Sequence, residues 1–366
     1  RREGGAVRGG SAGCAPHGDR RFHLGCTVAV GLDQFHYDVA IEVQPELRVM
    51  EERLWGPAHH LETRRVLDNV LFETKAGSSA PGIEVMVHNG KRGVNPSSWV
   101  RDNRLVLTQI PAVLAGRNAA ERSVLVGVEA VTLALRGVFH LDPVPSLMRD
   151  FVPSRDVELR RDGGNLSPAL RRLRSADPAA FDRLGLLVRD VADERVLGVD
   201  FVSSDLGDVM VILDEQEASR TEKTSAREMS DGLLRFLAVA TALLSAQQGL
   251  DVDTRPDSHR DAGRDESTRG GVLIVIEELE NGLHPSQARR VLDLVRERAT
   301  AGTSVLFTTH SPALLDAAEG PLTDSIVVCH RDRENGRSLL TPLSELPGYA
   351  QALAEGTLGR AVTAGR

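Results

Sequence analysis

Hydrophobic and polar residues alternate along much of the first hundred positions of this chain. The alternating stretches are residues 22–30, 35–43, 47–54 and 83–88. Successive side chains of a β-strand point to opposite faces, so this pattern predicts strands that bury one face. We therefore predict an antiparallel β-rich lobe at residues 21–104. Residues 1–20 are glycine-rich, basic and without hydrophobic period, which predicts a flexible terminus.

The middle of the chain, residues 105–215, has a mixed pattern of apolar residues. The predicted helices are residues 105–115, 119–138, 166–174 and 179–190, and the predicted strands are residues 196–202 and 208–214. We interpret this region as a helical, partly mixed insertion between the lobe and the last part of the chain.

The last part, residues 216–366, has the pattern of an α/β core. Leu233, Phe236, Leu237, Ala240, Leu243 and Leu244 recur at helical spacing. Residues 272–276 form an unbroken aliphatic run, which is typical of a strand buried on both faces of a parallel sheet. A predicted helix at 286–299 and predicted strands at 304–308 and 325–329 follow, and strand–helix–strand order favours a parallel sheet.

Residues 249–270 interrupt this core with a charged stretch that is almost free of large apolar groups. Such a stretch cannot bury enough apolar surface to offset the entropy of ordering, so we predict a disordered surface insertion.

Composition narrows the classes of protein to which the chain can belong. The 366 residues are 41% hydrophobic and 26% charged, with a net charge of −8, which argues against a wholly basic nucleic-acid-coating protein. No apolar run reaches the ~18 residues of a membrane span. Three cysteines do not make a disulfide framework in a chain of this length. We expect a cytoplasmic protein without a membrane partner.

Two carboxylates, Glu277 and Glu278, follow the aliphatic strand directly. Open α/β sheets carry their ligand chemistry at the carboxyl ends of the strands. Acid pairs at such an edge hold Mg²⁺ and orient an attacking water in phosphoryl transfer. The alternative is a core strand followed by a solvated acidic loop.

Two further motifs have the chemistry of phosphate sites. His310 follows the predicted strand 304–308, where it could hydrogen-bond a terminal phosphate, or cap a loop as a structural histidine. Ser230-Asp231-Gly232 precedes a helix, where backbone amides can bind an anion and glycine allows close approach. The alternative for this motif is an ordinary Ser/Asp N-cap.

Together the stretches SDGLLR, LIVIEELENGLHP and FTTHSP resemble the second half of an ABC-type ATPase of the RecF/SMC-like group. More closely, they resemble the bacterial AAA family ATPases related to the OLD group. The resemblance runs over residues 230–320 and extends more weakly to Leu141-Asp142-Pro143, to Asp162-Gly163-Gly164-Asn165-Leu166 and to the tail from Ser325. It implies an α/β P-loop NTPase (ABC/RecF-like) fold, with a parallel core sheet, an N-terminal antiparallel β-rich lobe and a helical insertion.

The resemblance also implies a catalytic role for three matching residues. Glu278 matches the general base that orients the attacking water, and His310 matches the switch histidine. Glu277 matches the Walker B acid that supports Mg²⁺. Because Glu stands here where Asp is more usual, Glu277 is expected to reach the metal through water. The implied cofactors are ATP and Mg²⁺.

Further implied roles concern a dimer of ATPase subunits. Ser230, Asp231 and Gly232 match the signature motif, which contacts the γ-phosphate bound by the opposite subunit. The segment that communicates across the dimer includes Asn281, Gly282 and His284. The expected partner is therefore a second copy or another ATPase subunit.

One motif of the family is missing. No stretch matches the P-loop pattern G-x-x-x-x-G-K-[ST], and Gly4 to Ser11 has the glycine spacing but Gly10 where lysine is required. In the family the P-loop precedes the β-rich lobe. We expect the chain to be an N-terminally incomplete version of a longer ATPase, and the chain alone to bind little or no ATP. The alternative is a genuine subunit without Walker A that pairs with a complete partner.

The sequence thus predicts ATP binding and hydrolysis by a dimer, coupled to a conformational change directed at DNA or at a separate nuclease effector. DNA repair and phage defence are the expected settings. The alternative is a catalytically incompetent scaffold or heterodimer partner. A transporter's nucleotide-binding subunit is disfavoured, because SDGLLR and ENGLHP differ from the LSGGQ and SALD forms usual there.

Overall fold

The computed structural model describes residues 10–16, 18–75, 82–192, 194–252, 271–283, 285–300, 302–318, 320, 322–332, 336–347, 349, 354 and 356–363. The chain divides into two compact units. The first comprises the described residues up to Gly137, and the second comprises Val138–Val252 and Gly271–Arg366. The four-part division predicted from the sequence stays a prediction. Most of the predicted insertion at 249–270 lies outside the described residues.

The first unit is built on a six-stranded antiparallel sheet in which every strand pairs with its neighbour in sequence. Its strands are β1 (Arg21–Val30), β2 (Asp33–Glu42), β3 (Arg48–His60), β4 (Arg65–Thr74), β5 (Ile83–Val87) and β6 (Ser97–Val100). The predicted antiparallel β-rich lobe is confirmed. The sequence pattern missed β4, because its first five residues are all exposed and therefore show no alternation.

Two helices, α1 (Ile110–Val113) and α2 (Ala119–Arg136), complete the first unit. Asn118 caps α2, since its side chain accepts the Glu121 N–H at 2.9 Å. Gly127 lets α2 approach the sheet closely, because a Cβ at this position would lie 2.5 Å from Leu71 Cδ1. The predicted helix at 105–115 is broken into a short 3-10 helix and α1.

The second unit contains the remaining strands and helices. Its strands are β7 (Val138–Leu141), β8 (Val152–Pro153), β9 (Val196–Ser203), β10 (Asp208–Glu217), β11 (Arg220–Ser225), β12 (Val272–Ile276), β13 (Thr303–Phe307), β14 (Val327–Arg331) and β15 (Ser338–Pro342). Its helices are α3 (Leu166–Ala176), α4 (Pro178–Val191), α5 (Asp231–Leu244), α6 (Pro285–Arg298), α7 (Pro312–Ala318) and α8 (Leu358–Thr363). Short 3-10 helices lie at Ser11–Cys14 and Val106–Thr108 in the first unit, and at Pro145–Leu147, Thr323–Ser325 and Leu343–Glu345 in the second.

A parallel sheet with the order β13-β12-β7 forms the centre of the second unit. Strand β12 lies between its two neighbours, which explains its unbroken aliphatic sequence. Strand β7 corrects the predicted helix at 119–138: the helix ends at Arg136, and Val138 begins a strand. Four residues are too few to show a strand period, so the sequence pattern did not separate the two elements.

The other strands of the second unit form antiparallel sheets. Strand β10 pairs with β8, β9 and β11 in a separate four-stranded sheet. Strand β14 pairs with β15 in antiparallel orientation, so the predicted strand at 325–329 does not extend the parallel sheet among the described residues. The predicted fold class, α/β with a parallel core sheet and an antiparallel lobe, is nevertheless confirmed.

Helix α5 is the central helix of the second unit. Every residue from Phe236 to Leu244 is buried, so the helix is covered on all sides rather than on one stripe. It contacts α3, α4 and α6. Among the described residues, no helix has both the length and the apolar character needed to cross a membrane.

Candidate functional site

Two loops meet where β12 and β13 end. The strands are parallel neighbours in register, with Ile276 opposite Phe307, so their carboxyl ends lie at the same sheet edge. The Thr308 N–H donates to Ile276 O at 3.0 Å, and the Leu279 N–H donates to Thr308 O at 3.1 Å. The Glu278 N–H donates to the Thr308 hydroxyl at 3.0 Å. The acidic loop is therefore held directly against the segment that leads to His310.

Glu278 has a strained backbone. Its φ is +47°, in the left-handed region that favours glycine. Such a conformation costs on the order of 1–3 kcal/mol and is found preferentially at functional sites. The Asn281 N–H donates to Glu278 O at 2.7 Å, which closes a tight turn behind the strand. The side chain of Glu278 is exposed at the sheet edge.

Glu277 has a histidine neighbour that the sequence did not reveal. His140 Nε2 lies 3.3 Å from Glu277 Oε1. His140 belongs to β7, where it is opposite Val275 of β12. We predicted a helix ending at residue 138, so His140 was not placed on the strand beside the acidic loop. The signal that could have indicated this strand was the mostly apolar stretch Val138–Leu141, followed directly by Asp142-Pro143.

The donor set at this edge suits a metal that is also held by a nucleotide. No group of three or more His, Cys, Asp or Glu side chains within the described part of the chain could hold a metal by itself. Mg²⁺ usually binds through one or two carboxylates together with substrate phosphates and water. Glu277, with its side chain 58% exposed, fits this mode, and a metal cage made by the protein alone does not fit.

Glu280 links the acidic loop to the histidine. Its Oε1 accepts the His310 N–H at 2.7 Å. Its Oε2 is buried and has no hydrogen-bond partner among the described residues. His310 itself is exposed. The backbone of His310 is therefore fixed by a carboxylate two residues after Glu278, a contact that the sequence analysis did not predict.

The Ser230 motif begins helix α5 as an N-cap. Ser230 Oγ accepts the Leu233 N–H at 3.2 Å, so the capping interpretation holds for its side chain. Arg149 Nη2 donates to Asp231 Oδ1 at 2.5 Å. Arg149 Nη1 also donates to the carbonyl oxygens of Ala226 and Met229, at 3.1 and 2.8 Å. Arg149 thus fixes the loop before the motif, and no local sequence signal marks a residue 82 positions away.

A contact between two glycines brings this motif to the acidic loop. A Cβ on Gly232 would lie 1.9 Å from Gly282 O, so no other residue fits at position 232 without displacing the loop. Gly282 has a φ of +80°. Ser230, Asp231, Asn281 and Gly282 are all exposed around this contact. His284, the third predicted residue of this segment, lies outside the described residues.

The landmark Asp162-Gly163-Gly164-Asn165 has a structural role. Asn165 is fully buried. Its Nδ2 donates to Asp156 O at 2.9 Å and to Glu158 O at 2.6 Å, and its Oδ1 accepts the Arg160 N–H at 2.8 Å. These bonds hold the loop before α3, so the role that the structure gives this motif is to stabilise the loop.

Comparison with protein families gives an independent view of the second unit. Residues 138–316 match the family described as "AAA domain, putative AbiEii toxin, Type IV TA system". The match begins with β7, at the boundary between the two compact units. It bears out the predicted resemblance to AAA family ATPases over this segment, and the observed sheets confirm the predicted α/β fold class. No curated protein matches the chain in sequence.

Solved structures of SMC head domains are distantly similar. One is the SmcHead bound to the C-winged helix domain of ScpA, at 10% identity and a TM-score of 0.36, covering 81% of this chain and 76% of that chain. Another is the SMC head domain from Thermotoga maritima, at 12% identity and a TM-score of 0.30, covering 85% and 74%. Similarities this distant say nothing about the activity or partners of this chain.

Proposed function

We propose that this protein binds and hydrolyses ATP as a dimer of ATPase subunits. The observation that carries the proposal is the convergence of Glu277, Glu278 and His310 at the carboxyl edge of two neighbouring parallel strands. This edge is where α/β proteins carry out phosphoryl transfer. The AAA family match over residues 138–316 supports a nucleotide as the ligand.

Glu278 is proposed as the general base. It accepts a proton from a water molecule while the water oxygen bonds to the γ-phosphorus of ATP. The bond from the γ-phosphorus to the β–γ bridging oxygen breaks, and ADP leaves with that oxygen. The strained backbone of Glu278 supports this role, because such strain is found preferentially at functional sites and the Glu278 side chain is exposed.

Glu277 and His310 are proposed to flank the phosphates. Glu277 would hold Mg²⁺ through water, and a bound Mg²⁺ would neutralise charge that develops on the phosphate oxygens. His140 would orient the Glu277 carboxylate, as partners of metal-binding groups commonly do. His310 would donate a hydrogen bond to the γ-phosphate. The bond from the His310 N–H to Glu280 would keep its backbone at a constant distance from the acidic loop.

The signature residues Ser230, Asp231 and Gly232 are proposed to act on the ATP of the opposite subunit. They are joined to the loop of Asn281 and Gly282 by the glycine contact, and both segments have exposed residues that a second subunit could cover. A side chain introduced at Gly232 would therefore displace the loop of Gly282. This coupling supports the proposal that the segment including His284 communicates across a dimer.

The output of hydrolysis is proposed to be a conformational change that acts on DNA or on a separate nuclease effector, in DNA repair or phage defence. The partner subunit is a second copy or a related ATPase. The support for a defence role is the description of the matching family, which names a putative AbiEii toxin of a Type IV TA system.

The test is ATP hydrolysis by the natively expressed protein and by its Glu278→Gln variant. We expect turnover to fall at least about 100-fold, because a positioned base contributes at least that factor. ATP binding should persist, and light scattering should detect an ATP-stabilised dimer. Glu217→Gln, an exposed acid on β10, is the matched control and should hydrolyse ATP at the wild-type rate.

Unchanged hydrolysis in the Glu278→Gln variant would remove Glu278 as the base. If the natively expressed protein does not bind ATP by calorimetry, the ATPase proposal fails and the scaffold interpretation replaces it. The intact mass of that protein should be measured alongside, since a mass above that of the 366 residues would show that the expressed protein is longer than this chain.

A further inference from the structure

A cavity of about 330 Å³ lies in the second unit, at the edge of the parallel sheet opposite the candidate ATP site. The carboxyl ends of α3, α5 and α6 surround it, together with Thr303 at the start of β13. Because β13 runs from Thr303 towards His310, the cavity and the proposed site lie at opposite ends of the same strand.

The cavity is lined by buried apolar side chains and by exposed polar ones. Leu173, Leu243, Leu244 and Ala246 line it and are each at most 6% exposed. Gln248 also lines it and is exposed. The lining therefore combines buried apolar side chains with accessible polar ones, which suits a ligand that carries a charged group.

Two acidic side chains also line the cavity, and both already have partners. Asp177 Oδ1 accepts the Ala180 N–H at 3.0 Å, as the N-cap of α4. Glu297 Oε2 accepts a hydrogen bond from Arg183 Nη2 at 3.3 Å. Their negative charge is therefore partly compensated within the protein.

The two basic side chains of the cavity differ from each other. Arg298 donates to the carbonyl oxygens of Leu243 and Leu244, at 3.4 and 2.9 Å, and so caps the end of α5. Arg172 Nη1 is buried and has no hydrogen-bond partner within the described part of the chain. A guanidinium stays protonated in proteins, and a buried donor without an acceptor is costly. This donor is therefore available to an acceptor on a molecule that enters the cavity.

We propose that this cavity binds a small organic anion whose phosphate or carboxylate group pairs with Arg172. Such groups match the planar guanidinium and form charge-assisted hydrogen bonds with it. At roughly 30 Å³ per water, the volume corresponds to about ten waters, so the ligand has on the order of ten non-hydrogen atoms. This site is separate from the proposed ATP site and does not depend on it.

The test is a calorimetric titration of the full chain with inorganic phosphate, glycerol 3-phosphate and citrate, at fixed pH and ionic strength and without nucleotide. We expect saturable binding of at least one probe at one site per chain. Tighter binding of the phosphate probes than of citrate would identify a phosphate as the anionic group, and tighter binding of citrate would identify a carboxylate. Arg172→Met should weaken binding at least about tenfold, because it keeps the length of the side chain but removes the charged donors.

Arg171→Met is the matched control, since Arg171 is the exposed neighbour on α3 and does not line the cavity. Ala176→Phe is a second variant, which should block binding by filling the exposed mouth while leaving Arg172 intact. Circular dichroism of each variant checks that it is folded. The proposal would be overturned if none of the three probes bound saturably. It would also be overturned if Arg172→Met and Arg171→Met weakened binding equally.

Discussion

Glu52 in the first unit and Glu278 in the second use the same side chain in opposite ways. Glu52 is 2% exposed and accepts three hydrogen bonds. Its donors are the Tyr37 hydroxyl at 3.0 Å and the Val106 and Leu107 N–H groups at 2.6 Å each. Glu278 is exposed and follows a buried strand on a backbone of positive φ.

The comparison separates an acid that stabilises the fold from an acid available for chemistry. Burial raises the pKa of Glu52, while the hydrogen bonds from Leu107, Val106 and Tyr37 oppose that rise. Its carboxylate caps the first turn of the 3-10 helix and has no room for a substrate. Glu278 instead combines local strain with access to solvent, which is how reactive groups are held.

The largest effect is expected from Glu52→Ala. The change leaves two buried N–H groups and a hydroxyl without their acceptor, and each such loss costs about 1–3 kcal/mol, so the free energy of unfolding of the first unit should fall by at least about 3 kcal/mol. Hydrogen exchange of the Val106 and Leu107 amides measures the loss locally. Glu51→Ala, at the exposed neighbouring position, should leave both amides protected. If the two amides exchanged equally fast in both variants, Glu52 would not be an acid that stabilises the fold, and its contrast with Glu278 would not hold.

A smaller effect of opposite sign is expected from Glu278→Gly. Glycine adopts positive φ without strain, so the second unit should become more stable by up to about 1 kcal/mol, although ATP turnover is lost. Urea unfolding and an ATPase assay measure the two results on the same protein. Glu277→Gly, at a position without positive φ, should be destabilised instead. If Glu278→Gly is destabilised as much as this control, strain is not stored at Glu278.

The smallest effect concerns pH. The pKa of Glu52 in the folded state lies above its ordinary value of 4.5, so between these values the folded chain holds a proton that the unfolded chain releases. The stability associated with this proton is present below pH 4.5 and declines as pH rises through the folded pKa. Unfolding free energies of wild type and of Glu52→Gln, compared across this window, should differ in slope. Parallel curves would show that Glu52 does not titrate differently in the two states.

Local sequence patterns were sufficient for much of the fold. The aliphatic run of β12, the apolar period of α5 and the alternation of β2 each reflect the surroundings of a single element. The parallel pairing of β12 with β13 was predicted from their strand–helix–strand order. The pattern did not find β7 or β4, because one is only four residues long and the other is half exposed.

The sequence by itself therefore determined the α/β core and the acidic pair after β12, and it proposed the candidate residues from Ser230 to His310, because each is encoded in a contiguous motif. Only the tertiary structure decided that His140 lies against Glu277, that Arg149 holds Asp231, and that Arg172 lines a cavity with its Nη1 unpaired among the described residues. These contacts join residues far apart in the chain. Their distances depend on strand register and helix packing, which no local motif specifies.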